Sequence, residues 1–273
     1  MHGAALKGTA TATLVREPFF VQISDTHLFA DPERKLWDVA PDPLLDRALQ
    51  SLEALDNRPA FLLVTGDCSS DGSPSSYHRL AEKVARLGVP VHYIPGNHDD
   101  PELMARILVG RNLHEHQKLT QTFEAFGWRF ILLDSSVPGE DGGALGDAQR
   151  AWLRTTLAAQ PNAPTIVVVH HNPLPVGSAW LDPMMIADSN ALHAILDTSA
   201  QVRAVLFGHV HQVFEMQRNG AQYLSAPSTF FQFKPKSEHF GRDPKPGGAR
   251  IVRLNGDRLR TAVMRFGEPL PPI

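Results

Sequence analysis

The chain has 273 residues, 42% of them hydrophobic, with 26 basic and 29 acidic side chains and a formal net charge of −3. That is enough apolar material for one large folded domain, and the near balance of charge, without a long run of either sign, gives no electrostatic footprint for a nucleic acid polymer. The single cysteine, Cys68, excludes an intramolecular disulfide and a cysteine-rich zinc site, and suits a reducing cytoplasm.

In chain order, residues 1–17 are rich in Ala, Gly and Thr and read as a flexible lead-in. They lack the apolar core of roughly 7 to 15 residues that marks a secretion signal. No stretch reaches the roughly 18 uninterrupted apolar residues of a membrane span. The runs FFVQIS (19–24), AFLLVTG (60–66), VHYIPG (91–96), RFILLDS (129–135), TIVVVHH (165–171) and VRAVLFGH (202–209) read as strands, several too uniformly apolar to have a wet face. Helical spacing occupies 42–55, 76–88, 101–110 and 147–159, and more weakly 185–199. After residue 209 the rhythm changes: 213–226 and 249–266 each place Asn-Gly between alternating segments, the signature of a tight hairpin, and 233–248 reads as a surface loop. The expectation is an α/β fold of two packed sheets with helices outside, one domain over 18–267 and a short tail over 268–273. Open α/β sheets bind ligands beyond the carboxyl ends of their strands.

The polar residues fall at those ends. SDTH follows the first strand, GD the second, GNHDD the third, HHNP the strand near 170 and GHVH the strand near 208. Asp, Asn and His are ligands for small divalent ions. Asp25 and His27, like His209 and His211, are two apart and share one side of an extended backbone. Gly66, Gly96 and Gly208 each precede a polar residue where the chain must turn sharply. His2, His78, His92, His114, His116, His193 and His239 have no such setting and read as surface, turn or satisfied histidines. Asp71 reads as a turn former near enough to Asp67 to line the mouth of a site, Asp99 and Asp100 as the start of a helix before Pro101, and Cys68 as a small buried hydrophobe.

Taken together, from Asp25 to His211, these motifs resemble the calcineurin-like metallophosphoesterases. The resemblance implies a four-layer α-β-β-α sandwich with a two-metal centre. The segments QISDTHLFADPE (22–33), GSAWLD (177–182), GHVHQ (208–212) and APSTFFQFKPKSEHF (226–240) further resemble the bacterial 3′,5′-cyclic-AMP phosphodiesterases of that superfamily. Carried over by resemblance, one metal is held by Asp25, His27, Asp67 and His211. Asp67 bridges to a second metal that also takes Asn97, His170 and His209. Of the doubled histidine, His170 best matches the ligand and His171 then becomes an outer-shell or loop residue, whereas a one-residue shift of the strand would exchange the two; Asp71 and His171 are the candidate residues behind the ligands. Mn or Fe is the expected pair, with Zn or Co also accepted by such a donor set.

Two divalent ions exceed the charge of two carboxylates and a bridging hydroxide, which attracts a phosphodiester anion and lets the hydroxide attack phosphorus in line. Asn97, His98 and His209 would contact the phosphate. His98 would protonate the leaving 3′ oxygen, tuned by Asp99, giving 5′-AMP from cyclic AMP. The base would rest on HLFADPE, HNPLPVGSAWLD or PSTFF, where Phe29 and Trp180 offer stacking. The rival readings are a broader glycerophosphodiester or aryl diesterase and, from another class, a non-catalytic metal-stabilised scaffold. A soluble cytoplasmic enzyme, with a small-molecule substrate and a homodimer through the C-terminal strands, completes the expectation.

Overall fold

The computed structural model describes residues 17–270. Most of the expected lead-in, and the last three residues of the expected tail, lie outside that range. One sheet has the order β13-β12-β1-β2-β3, built from β1 (Phe19–Ile23), β2 (Leu62–Thr65), β3 (Val91–Ile94), β12 (Gly248–Asn255) and β13 (Arg258–Arg265). The second has the order β4-β5-β6-β7-β9-β8, from β4 (Gln121–Ala125), β5 (Trp128–Leu132), β6 (Thr165–Val168), β7 (Val202–Phe207), β8 (Glu215–Arg218) and β9 (Ala221–Ser225). β1, β2 and β3 are mutually parallel, as are β5, β6 and β7, so each trio sends its carboxyl ends to one edge.

Three apolar clusters account for the layers. Phe19, Val21 and Ile23 of β1 pack under helices α1 (Pro41–Glu53) and α2 (Pro74–Ala85) through Leu45, Leu49, Tyr77 and Leu80. Val167, Val205 and Phe207 pack under α4 (Gly146–Ala159) and α5 (Ser189–Leu196) through Leu153, Leu157 and Leu192. The intervening residues Phe20, Leu63, Ile166, Val168, Ala204 and Leu206 face inward and fill the space between the sheets. A strand with both faces covered has no polar alternation, which is why these runs read as continuously apolar. The result is the four-layer α-β-β-α arrangement.

Polar straps tie the sheets together. Fully buried Arg250 on β12 donates to the Ser225 carbonyl (2.8 Å) and the Glu215 carboxylate (2.8 Å) of the other sheet. Nearer the site, the Gln22 amide donates to Thr65 Oγ1 and to the Phe207 carbonyl, both at 3.0 Å. These bonds fix the separation of the two strand trios where their ends meet.

The structure departs from the sequence reading in four places. β4 pairs with β5 through a Phe126-Gly127 turn, with both residues at positive φ, where no Asn-Gly announced it. The helix at 101–110 is four α-helical residues, α3 (Pro101–Met104), continued by a π-turn over Ala105–Val109 and stopped by Gly110 at φ 72°. The loop at 233–248 carries a two-stranded ribbon, β10 (Gln232–Phe233) with β11 (Arg242–Asp243), whose four residues are buried. Of the two Asn-Gly pairs, Asn219-Gly220 occupies a turn with both φ positive, whereas the second turn slides by one, with Asn255 paired to Arg258.

Candidate metal centre

The five carboxyl ends converge. Asp25 and His27 follow β1, Asp67 follows β2, Asn97 and His98 follow β3, His170 and His171 follow β6, and His209 and His211 follow β7. Asp25, His27, Asp67, His209 and His211 all have positive φ, between 44° and 65°. Such backbone is uncommon outside glycine and is kept only when the surroundings dictate it. Here they do: Asp25 N donates to the Gly66 carbonyl (3.0 Å), His27 N to the Asp67 carbonyl (2.9 Å), and His209 N to Asp25 Oδ1 (3.1 Å).

The ring nitrogens are oriented from behind. His170 Nδ1–H donates to the Thr65 carbonyl (2.7 Å) and His211 Nδ1–H to the Phe231 carbonyl (3.0 Å). A carbonyl oxygen only accepts, so each Nε2 is left to present a lone pair inward. His211 Nε2 then stands 3.1 Å from His27 Nε2 and 3.4 Å from Asp25 Oδ1. His170 Nε2 stands 3.2 Å from Asn97 Oδ1, which is also 3.2 Å from His209 Nδ1. Asp67 Oδ2 belongs to both groups, 3.7 Å from His27 Nε2 and 3.4 Å from His170 Nε2. Asp25 Oδ2 and His209 Nε2 are buried without a hydrogen-bond partner. Buried acceptors at such distances repel unless a proton or a cation lies between them, and this donor set fits divalent ions.

Protons are the alternative occupants. Burial opposes a charge on His170, but the Asp67 carboxylate beside it raises its pKa to about 9. Burial keeps His27 neutral, down to about 3, and holds His209 well below the usual imidazole range. Asp67 stays ionised well below the usual carboxylate range: burial works against it, and His170 and His27 outweigh the burial. A cation therefore displaces a proton from His170 and meets His27, His209 and Asp67 already in their binding form.

Glycine makes the close approach feasible. A Cβ on Gly96 would overlap the Asp67 amide nitrogen and Oδ1, and one on Gly66, at φ 91°, would overlap His170 Nδ1. Gly96→Ala should therefore push Asp67 out of register. We expect a stability loss of about 1–3 kcal/mol and weakened cation binding, read by thermal melting and by metal content after dialysis. Unchanged metal content would show that the Gly96 contact does not set the Asp67 position.

The other expected site residues fall differently. His98 is exposed, its ring 5.1 Å from that of His27, and its backbone N–H donates to Asp67 Oδ1 (3.0 Å). Asp99 does not reach the His98 ring. Its carboxylate accepts from Gly96 N (2.9 Å), Cys68 N (3.1 Å), Ser69 N (3.1 Å) and Tyr77 Oη (3.2 Å), and so staples the β2 loop to the β3 loop. Asp71 is exposed and accepts from Ala30 N (2.9 Å) and Ser73 N (3.2 Å), a turn role. His171 is fully buried, its Nδ1 2.7 Å from Ser135 Oγ, and it groups with His170 and His209 close enough to share an ion. Cys68 is buried and free. Phe29 is 5% exposed, lies under the Arg34 guanidinium and does not line the site.

The centre opens into a cavity of about 400 Å³ that Trp180 does line. Its wall also includes Trp37, Phe231, Phe233 and Phe240. Trp37 and Phe240 escape a sequence reading because they lie in loops without periodicity, and only the tertiary fold brings them into one cavity with His27, Asp67 and His211. No described helix is long and apolar enough to cross a membrane.

Comparison with known proteins agrees with this geometry. Residues 20–213 match the family model described as calcineurin-like phosphoesterase. The chain is 38% identical over 249 residues to a 3′,5′-cyclic adenosine monophosphate phosphodiesterase of Pseudomonas aeruginosa, covering 91% of this chain and 90% of that one. It is also 38% identical over 251 residues to a 3′,5′-cyclic-nucleotide phosphodiesterase of Nostoc, covering 92% and 93%. Among solved structures, a dimetal phosphatase from Danio rerio superposes with a TM-score of 0.71 at 15% identity, covering 93% of this chain and 98% of that one, and shares the fold.

Proposed function

Since this chain belongs to the calcineurin-like phosphoesterase family, we propose that it hydrolyses 3′,5′-cyclic AMP to 5′-AMP at a two-cation centre. The observation that carries this reading is Asp67 Oδ2, shared between two groups of inward-facing acceptor atoms. Asp25, His27, Asp67 and His211 would hold one cation, and Asp67, Asn97, His170 and His209 the other. Mn or Fe is the proposed pair, with Zn or Co admissible for the same donors. When bound, divalent cations supply Lewis acidity and a water acidified to a pKa of about 7.

The chain's own residues do the rest. The Asn97 amide oxygen contributes a ligand without adding negative charge, which preserves attraction for a diester anion. Asp67 Oδ1, by accepting the His98 N–H, fixes the backbone that carries His98 beside the cavity. From there the protonated imidazole of His98 delivers its proton to the departing O3′ and is left neutral. General-acid help of this kind is worth roughly 10²–10⁴ in rate. Asp99 acts at one remove, by holding the loop that bears Asn97 and His98. His171 supports His170 and His209 from the Ser135 side. A cytoplasmic setting suits the single reduced thiol of Cys68.

The test is kcat/KM of the metal-reconstituted chain toward 3′,5′-cyclic AMP, 2′,3′-cyclic AMP, glycerophosphocholine and 5′-AMP. The 3′,5′-cyclic substrate should lead and yield 5′-AMP, with 5′-AMP itself turned over slowest. A lead for glycerophosphocholine over both cyclic nucleotides would replace this reading with a general diesterase.

A further inference from the structure

The aromatic wall of the cavity has no part in the hydrolytic step, yet its construction is specific. Ring contacts form a closed circuit that starts on an inward-facing histidine of the centre. His211 meets Phe231 (5.2 Å between centroids), Phe231 meets Trp37 (5.1 Å), Trp37 meets Phe240 (4.7 Å), Phe240 meets Trp180 (5.5 Å), Trp180 meets Phe233 (4.9 Å), and Phe233 stacks back on His211 (4.2 Å). We propose that this wall is the base-binding subsite, with the adenine of the cyclic nucleotide stacked against Trp37 and Phe240 while its phosphate sits on the cation centre. The inference rests on the cyclic-nucleotide reading above and names the residues that select for it.

Three observations carry it. First, the described residues include few large exposed hydrophobics, and two of them, Trp37 at 47% and Phe240 at 38%, touch each other over this one cavity. Apolar surface gathered at the mouth of a polar site marks a ligand surface rather than ordinary exposure. Second, Trp37 is held there by a costly turn. Trp37 and Asp38 have φ of 47° and 62°, closed by reciprocal Leu36–Val39 backbone bonds of 3.0 and 3.1 Å, a conformation a bulky side chain adopts only under constraint. Third, the same cavity is lined by His27, Asp67, Asn97 and His209. A phosphate on those residues leaves its organic substituent with the aromatic rings as its neighbours. The Trp180 indole N–H already donates to Ser237 Oγ (3.3 Å), so this ring offers its face rather than a donor.

Stacking a base on an aromatic ring is worth about 5- to 150-fold in affinity. Isothermal titration of the metal-loaded chain with 5′-AMP and with ribose 5-phosphate isolates the base. The wild type should bind 5′-AMP about tenfold or more tighter, and Trp37→Ala and Phe240→Ala should each cut that preference about fivefold or more. In turnover, the preference for cyclic AMP over the methyl riboside 3′,5′-cyclic phosphate, which lacks the base, should shrink in the same variants through KM rather than kcat. A wild-type preference near unity, or one unchanged in both variants, overturns the subsite. A wild type that cleaves neither cyclic phosphate overturns the cyclic-nucleotide reading instead, and the titration ratio alone then decides the subsite.

Discussion

Replacing Asp67 by Asn should cost about 10³-fold or more in kcat/KM for cyclic AMP and should strip the chain of its cations. The substitution keeps the shape of the side chain, and its remaining amide oxygen can still accept the His98 N–H that Oδ1 accepts at 3.0 Å. What it removes is charge from the one oxygen that faces both His27 and His170. The other proposed ligand atoms each face a single group, so Asp67 is the side chain whose charge bears directly on both proposed positions. Metal analysis after dialysis, alongside kinetics, separates the causes. Full occupancy of both positions with a loss below about tenfold would mean that the two groups do not depend on a shared carboxylate.

His98→Ala should behave differently, keeping the cations while losing activity according to the leaving group. No inward-facing ligand atom belongs to His98. Its exposed ring lines the cavity, and its place is set through its backbone N–H, which alanine retains. A departing ribose alkoxide needs a proton, and a p-nitrophenolate does not. The variant should therefore lose roughly 10²–10⁴ in kcat on cyclic AMP and far less on bis(p-nitrophenyl) phosphate. Equal losses on both substrates with full metal content would remove the proton-donor role. Lost metal would reassign His98 to support of the ligand loop.

How far the sequence carried these conclusions depended on the kind of signal. Asp25 with His27, and His209 with His211, were legible because each pair follows an apolar run buried on both faces, and such runs end together at one edge of an α/β fold. The left-handed backbone at these residues was not legible, since positive φ in Asp and His arises from tertiary bonds such as His209 N to Asp25 Oδ1. Asp99 sat beside His98 in sequence and was expected to tune it. Adjacent side chains diverge, and its carboxylate accepts from four donors on its own loop, on the β2 loop and on α2. Phe29 offered a stacking ring but read more simply as a core aromatic, and it does follow β1 into the core, while Trp37, eight residues further on, is carried back over the cavity by a turn that has no glycine to announce it. The β4–β5 hairpin was missed for a related reason, because Phe126 occupies the turn position where Asn would have been the signal.

Anomalous diffraction from crystals of the chain soaked in Mn²⁺ reads the proposed centre directly. It should show two peaks, one among Asp25, His27 and His211 and the other among Asn97, His170 and His209, each in contact with Asp67. A single peak, or a second peak bound through His171 in place of His170, would contradict it.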